Sequence, residues 1–212
     1  MNRYLIGLIA VLVSALGSSQ LALAAEGRYV VKPLVQKKVK QLPAGPLYWR
    51  VENFPTLTQA QAAAGAERWN PDSVSYEPAT ALAAEVAGKA WLFTLGPKGG
   101  LTPGGTKVAE IGPVPPIAAQ EYLLRVNHGY GPPGAKTKVH SHPGSEAFYV
   151  VAGQLGQRTP HGVNHIEAGQ TMNGHPADLP MAVFNSGTTE LTALIMFVVD
   201  ANRPFSTPAK LP

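Results

Sequence analysis

The chain has 212 residues, 45% of them hydrophobic, the scale of one domain with a real core. With 22 glycines, 20 prolines and only 14% charged residues, it reads as a turn-rich all-β protein rather than a helical one. It contains no cysteine, which excludes disulfides, thiolate chemistry, cysteine-based zinc sites and a lipoprotein anchor, and its formal +4 charge is not gathered with aromatic residues into a nucleic-acid surface.

Residues 1–24 read as a signal peptide rather than as part of the fold. Met1-Asn-Arg3-Tyr is a short positive start, Leu5 to Gly17 an apolar core, and Ala22-Leu23-Ala24 a cleavage site before Ala25. The alternative is an uncleaved membrane anchor, for which the apolar run is short. Cleavage after Ala24 implies a periplasmic or secreted protein with no stable membrane anchor. It removes Arg3 alone among the charged residues, so 16 basic and 13 acidic residues leave +3.

Residues 25–118 are expected to form an N-terminal extension that packs on a barrel. The basic run Lys32, Lys37, Lys38 and Lys40 reads as a solvated arm. Leu47 to Phe54 is a strand. Thr58 to Gly65 is a short Ala-rich helix that ends at a glycine. Pro78 to Ala87 is a second Ala-rich segment that reads as helix. Ala90 to Leu95 and Lys107 to Ile111 are strands, closed by Gly/Pro turns.

Residues 119–204 are expected to carry the barrel, and 205–212 a Pro-rich surface tail. Glu121 to Val126 is a strand, followed by a turn from Gly129 to Gly134. Strand alternation puts His140 and His142 on one face. The turn Pro143-Gly144-Ser145 brings Glu146 back beside His142. Two imidazoles and one carboxylate on one face can bind a divalent first-row metal and leave open positions. Phe148 and Val150 continue that strand, with Tyr149 and Val151 on its other face. Gly153 closes it in a tight turn. Met181 to Phe184 and Leu191 to Val199 are the last strands. The second is apolar on both faces, so it is expected to be covered on both sides.

Gly134 to Gly153 resembles the first cupin motif, G(X)5HXH(X)3,4E(X)6G, at every fixed position. The resemblance implies a double-stranded β-helix barrel with a metal inside, held by His140, His142 and Glu146. It also implies a homodimer. The second motif, G(X)5PXG(X)2H(X)3N, opens at Gly169 and is degenerate. Counting back from Asn185 puts Pro176 at the proline position, Asp178 at the glycine and Met181 at the histidine ligand. The fourth ligand is therefore His175 from a rim loop, or none. Met181 reads as a barrel-lining hydrophobe.

No histidine precedes His128, so a second site in the N-terminal half is excluded. His128 reads as a rim residue. His161 and His165 sit in a connection that the resemblance places beyond the metal. Fold does not give function. A metal (iron, manganese, nickel, copper or zinc) would support dioxygenase-type chemistry, with Glu146 as ligand or base, or metal-assisted isomerisation or hydrolysis. The alternative is a non-catalytic barrel that binds a small molecule or a metal. Phe148, Val150, Met181 and Val183 predict an apolar or aromatic substrate pocket. A sugar-phosphate enzyme would need Arg or Lys aimed inward, and only Arg125 is a candidate, its direction open.

Overall fold

A computed structural model describes residues 27–65 and 80–212. The expected signal peptide and part of the second Ala-rich segment lie outside them. The described chain is built from antiparallel strands with one helix.

The N-terminal extension supplies β1 (Val30–Val39), β2 (Tyr48–Phe54), α1 (Leu57–Gly65), β3 (Ala81–Val86), β4 (Lys89–Gly96) and β5 (Thr106–Ile111). Strands β3-β4-β2-β5 form a four-stranded sheet. The rest of the chain gives β6 (Tyr122–Gly131), β7 (His140–Ser141), β8 (Gly144–Ala152), β9 (Gln154–Thr159) and β10 (Gly162–Glu167). It continues through β11 (Thr171–Met172), β12 (Ala182–Asn185), β13 (Leu191–Asp200) and β14 (Thr207–Pro208). Strands β1-β6-β13-β8-β11 form a five-stranded sheet that faces β10-β9-β12, with β7 and β14 paired at one end. This is the all-β, double-stranded β-helix expected from the sequence.

Two residue classes alternate along the central strands and fix the layers. On β13, Leu194, Met196 and Val198 pack with Trp49, Trp91 and Phe93 of the four-stranded sheet. Ala193, Ile195, Phe197 and Val199 pack with Phe148, Leu155 and Val183 inside the barrel. The run that is apolar on both faces is thus covered on both sides. The N-terminal sheet is the outer cover of the barrel sheet.

Three local expectations are corrected. The Ala-rich segment over 81–87 is not helix. Val86 pairs with Lys89 across Ala87 and Gly88, and both turn residues have positive φ (53° and 67°), which suits a tight hairpin turn. Leu82, Ala84 and Val86 then fall on one buried face, so packing overrides helix propensity. The lysine run is not a free arm. Lys32, Lys37 and Lys38 decorate β1, an edge strand paired with β6 from Val30 to Val39, and Lys40 follows it. Pro33 sits there, where the register shifts, as an edge position allows, and lysines blunt such an edge. The tail after residue 204 is not detached either: Thr207 and Pro208 pair with Ser141 and His140.

Gly153 turns as expected, at φ 78°. A Cβ there would come within 2.5 Å of the Glu190 carbonyl.

Candidate functional site

His140 and His142 stand at the two histidine positions of the first motif, flanking Ser141. Met181 places His140 by a two-way backbone pair, with His140 N donating to Met181 O (2.9 Å) and Met181 N to His140 O (2.8 Å). The Asp178 amide donates to the His142 carbonyl at 2.8 Å. Asp178 occupies the glycine position of the second motif and keeps its left-handed conformation, φ 66°. Aspartate tolerates this better than most residues. Asn185 ends the motif as a buried clamp, donating to the carbonyls of Gly131 (2.9 Å) and Thr189 (2.7 Å). The degenerate motif therefore keeps its structural positions and loses its ligand position.

The two rings meet edge-on, with centroids 4.9 Å apart. His140 Nδ1 donates to the Lys138 carbonyl at 2.8 Å, and His142 Nδ1 donates to the Phe205 carbonyl at 2.6 Å. A carbonyl only accepts, so both Nδ1 atoms carry a proton, and in the neutral ring the lone pair is then on Nε2. Phe197 and Phe205 hold the His142 ring, with centroids 4.9 and 4.8 Å away. The Arg125 guanidinium lies 4.2 Å over the Phe205 ring. Burial, then the charges of His140 and Arg125, lower the His142 pKa to about 4 against the Phe205 bond.

Glu146 faces the barrel interior from β8 and is 3% exposed. Burial raises its pKa to about 8, partly offset by a 2.9 Å hydrogen bond from Gln157 Nε2 to its Oε1. Its Oε2 lies 3.8 Å from His142 Nε2, beyond hydrogen-bond reach. Between the two pKa values, about 4 and about 8, the pair is uncharged: a carboxylic acid facing a neutral imidazole.

Gln157 was not legible as a site residue. It is fully buried on β9 and reaches three side chains. Its Nε2 serves Glu146 and lies 3.4 Å from the Met181 sulfur, and its Oε1 accepts from His175 Nε2 at 2.7 Å. The segment around it reads as a polar connection in the sequence. Pairing with both β10 and β12 makes it a central strand.

His175, the expected alternative for a fourth ligand, has its Nε2 on Gln157 and does not line the cavity that His140, His142 and Glu146 share. Among the described residues no three ligand-type side chains converge on a metal position. The set fits a first-row metal in donor type and tautomer: two imidazoles pinned through Nδ1, with Nε2 lone pairs, and one carboxyl. It does not fit in spacing as the side chains stand.

A cavity of about 1180 Å³ opens onto His140, His142 and Glu146. Of the expected pocket residues only Val183 lines it. Phe148, Val150 and Met181 are buried behind the wall. The apolar lining is Phe184, Ile195, Phe197 and Phe205 instead, because β12, β13 and the C-terminal segment close the space. Lys136, Lys138 and Arg158 add an exposed cationic rim that the apolar expectation did not include. Arg125 points inward and is committed to Phe205 and to Asn127 Oδ1 at 2.8 Å.

No family model matches the chain, and no curated protein matches it. Solved structures do. A conserved protein of unknown function from Streptococcus pyogenes is 22% identical over 36% of this chain, with a TM-score of 0.33. A cupin-like protein from Thermotoga maritima is 18% identical over 42%, with a TM-score of 0.37. A DMSP lyase from Ruegeria pomeroyi is 21% identical over 41%, with a TM-score of 0.36. The chain spans 64%, 65% and 43% of their respective lengths. These partial matches concern the fold alone; the chain's own strand order is that of a double-stranded β-helix, and its first motif keeps the cupin spacing.

Proposed function

We propose that this chain is a small-molecule cupin that holds one divalent first-row metal at His140, His142 and Glu146. We further propose that it acts as an oxygenase-type enzyme on a substrate with an apolar or aromatic body. The observation that carries the reading is the pinning of both imidazoles through Nδ1 to backbone carbonyls, which leaves two Nε2 lone pairs at a cavity holding a buried carboxyl. A bound metal of this kind supplies Lewis acidity and open positions for small oxygen ligands.

The chain's own residues do the rest. Phe197 and Phe205 keep the His142 ring from rotating. Gln157 fixes the Glu146 carboxyl, so that its proton sits on Oε2, toward the cavity. Glu146 gives up that proton when a cation arrives, or passes it to a bound molecule. The walls from β12 and β13 exclude water from an apolar body. Export through residues 1–24 and a homodimer belong to the same proposal and rest on sequence alone.

One observation favours a second reading, a non-catalytic binding barrel: the three donors do not converge, and Glu146 is held uncharged. Oxygen uptake separates the two. Protein loaded in turn with iron, manganese, nickel or copper is mixed with a panel of phenolics in an oxygen electrode cell. Turnover with at least one metal, absent in His140→Ala/His142→Ala, supports the enzyme. Phenolic binding without uptake under any metal supports the barrel.

A further inference from the structure

Two polar side chains in the cavity are unexplained by the His140, His142 and Glu146 set. Tyr29 precedes β1 and is 5% exposed, yet its hydroxyl has no hydrogen-bond partner among the described residues. Asn127 on β6 is 1% exposed. Its Oδ1 accepts from Arg125 Nε, which assigns the amide and leaves Nδ2 as the end without a partner. Buried donors are normally satisfied. Two orphans in one cavity are a reason to look for the acceptor that completes them.

The backbone makes room for this arrangement. A Cβ on Gly129 would come within 2.5 Å of Tyr29 Oη and 2.9 Å of Ile195 Cδ1, so the glycine clears the space in which the ring lies. Charge adds a direction. The cavity carries three cations, Lys136, Lys138 and Arg158, and its one acidic residue is Glu146. The walls between rim and donors are apolar. Two donors inside, cations at the mouth and an apolar sleeve match a small organic acid.

We propose that Tyr29 Oη and Asn127 Nδ2 receive the carboxylate of a small acid with an apolar body, which enters past Lys136, Lys138 and Arg158. The inference deepens the small-molecule reading above and rests on it. It makes the N-terminal arm part of the site, because Tyr29 reaches the cavity only when β1 is paired with β6. Charge selects the ligand at the mouth, and hydrogen bonding holds it inside.

The test is calorimetric titration at low salt with four carboxylates: acetate, butyrate, benzoate and 3-phenylpropionate. Toluene is the probe for the apolar body alone. The proteins are wild type, Tyr29→Phe, Asn127→Ala and His140→Ala/His142→Ala, each metal-free and zinc-loaded. Benzoate or 3-phenylpropionate should bind the wild type more tightly than acetate. Tyr29→Phe and Asn127→Ala should each weaken that binding about fivefold to tenfold, the scale of one lost hydrogen bond, and leave toluene unchanged. Tyr29→Phe without ligand should melt at or above the wild-type temperature, since the hydroxyl makes no bond to lose.

The inference is overturned if no carboxylate binds the wild type more tightly than about 10 mM, or if both variants bind as wild type does. A Tyr29→Phe melting point several degrees lower also overturns it, because the hydroxyl would then serve the fold. Carboxylate binding that depends on Tyr29 in metal-free protein upholds it even where zinc never loads. Zinc loading with no Tyr29 dependence overturns it while leaving the metal reading intact.

Discussion

Raising the pH from about 6.5 to about 8 should destabilise the metal-free protein, because Glu146 is buried as a carboxylic acid. Its folded pKa is raised from 4.5 to about 8, so between those values the folded chain holds one proton more than the unfolded chain. Stability then falls as pH rises. His142 works in the opposite sense. Its pKa is lowered from 6.5 to about 4, so over that range the folded chain holds one proton fewer and stability rises with pH. Between about 4.5 and 6.5 the two contributions offset each other. Above 6.5 the histidine is neutral in both states and Glu146 acts alone. One and a half pH units at about 1.4 kcal/mol each would give about 2 kcal/mol, and half-titration of the two groups at the ends of the window reduces the loss to about 1 kcal/mol by pH 8. Urea unfolding in a chelator at the two pH values, followed by tryptophan fluorescence, reads this loss. Glu146→Gln keeps the acceptor for Gln157 and cannot ionise, so its stability should stay level over the same window. A wild-type stability that holds or rises, or a Glu146→Gln stability that falls in parallel, refutes the buried acid.

Phe205→Ala removes a ring that meets His142 and Phe197 at steep angles and lies under the Arg125 guanidinium. It should cost about 2 kcal/mol in urea unfolding and raise the His142 pKa toward its ordinary value, seen by NMR titration. Gln157→Ala leaves the buried Glu146 Oε1 without its donor and should cost about 1–3 kcal/mol, whereas His175→Ala should leave the metal content of the protein unchanged. Gly174→Ala places a Cβ 1.8 Å from the Glu146 carbonyl, where backbone cannot give way. It should destabilise by about 3 kcal/mol, against about 1 kcal/mol for Gly134→Ala, which has open space and only a positive φ to strain.

The barrel was legible because its strands are marked by period-2 alternation and bounded by glycine and proline. That His140, His142 and Glu146 open onto one cavity was legible because one turn joins all three. What escaped depends on partners far away in sequence. Gln157 lies in a stretch that reads as a polar connection, and only its pairing with β10 and β12 makes it central and inward. Phe205 lies in a Pro-rich tail, yet its carbonyl is the partner that sets the His142 tautomer across 63 residues. Tyr29 stands beside a lysine run that hides the edge strand. The alanines of 81–86 favour helix locally, and the Trp91 and Phe93 surface of β4 claims them as strand. The Ala87-Gly88 pair was the available signal for that hairpin. His175 was read as a rim-loop histidine, and its partner, the Gln157 amide, lies 18 residues away on a strand the sequence did not mark.

The account stands on His140, His142 and Glu146 acting as one donor set. The most direct test is the metal content of wild type expressed from the full sequence, residues 1–24 included, beside His140→Ala/His142→Ala. The account predicts close to one first-row metal ion per wild-type chain and essentially none in the variant. Iron, copper, nickel or manganese would favour oxygen chemistry, and zinc would favour binding or hydrolysis. Equal metal in both proteins, or none in either after supplementation, contradicts the account and leaves a ligand-binding barrel with a relic motif.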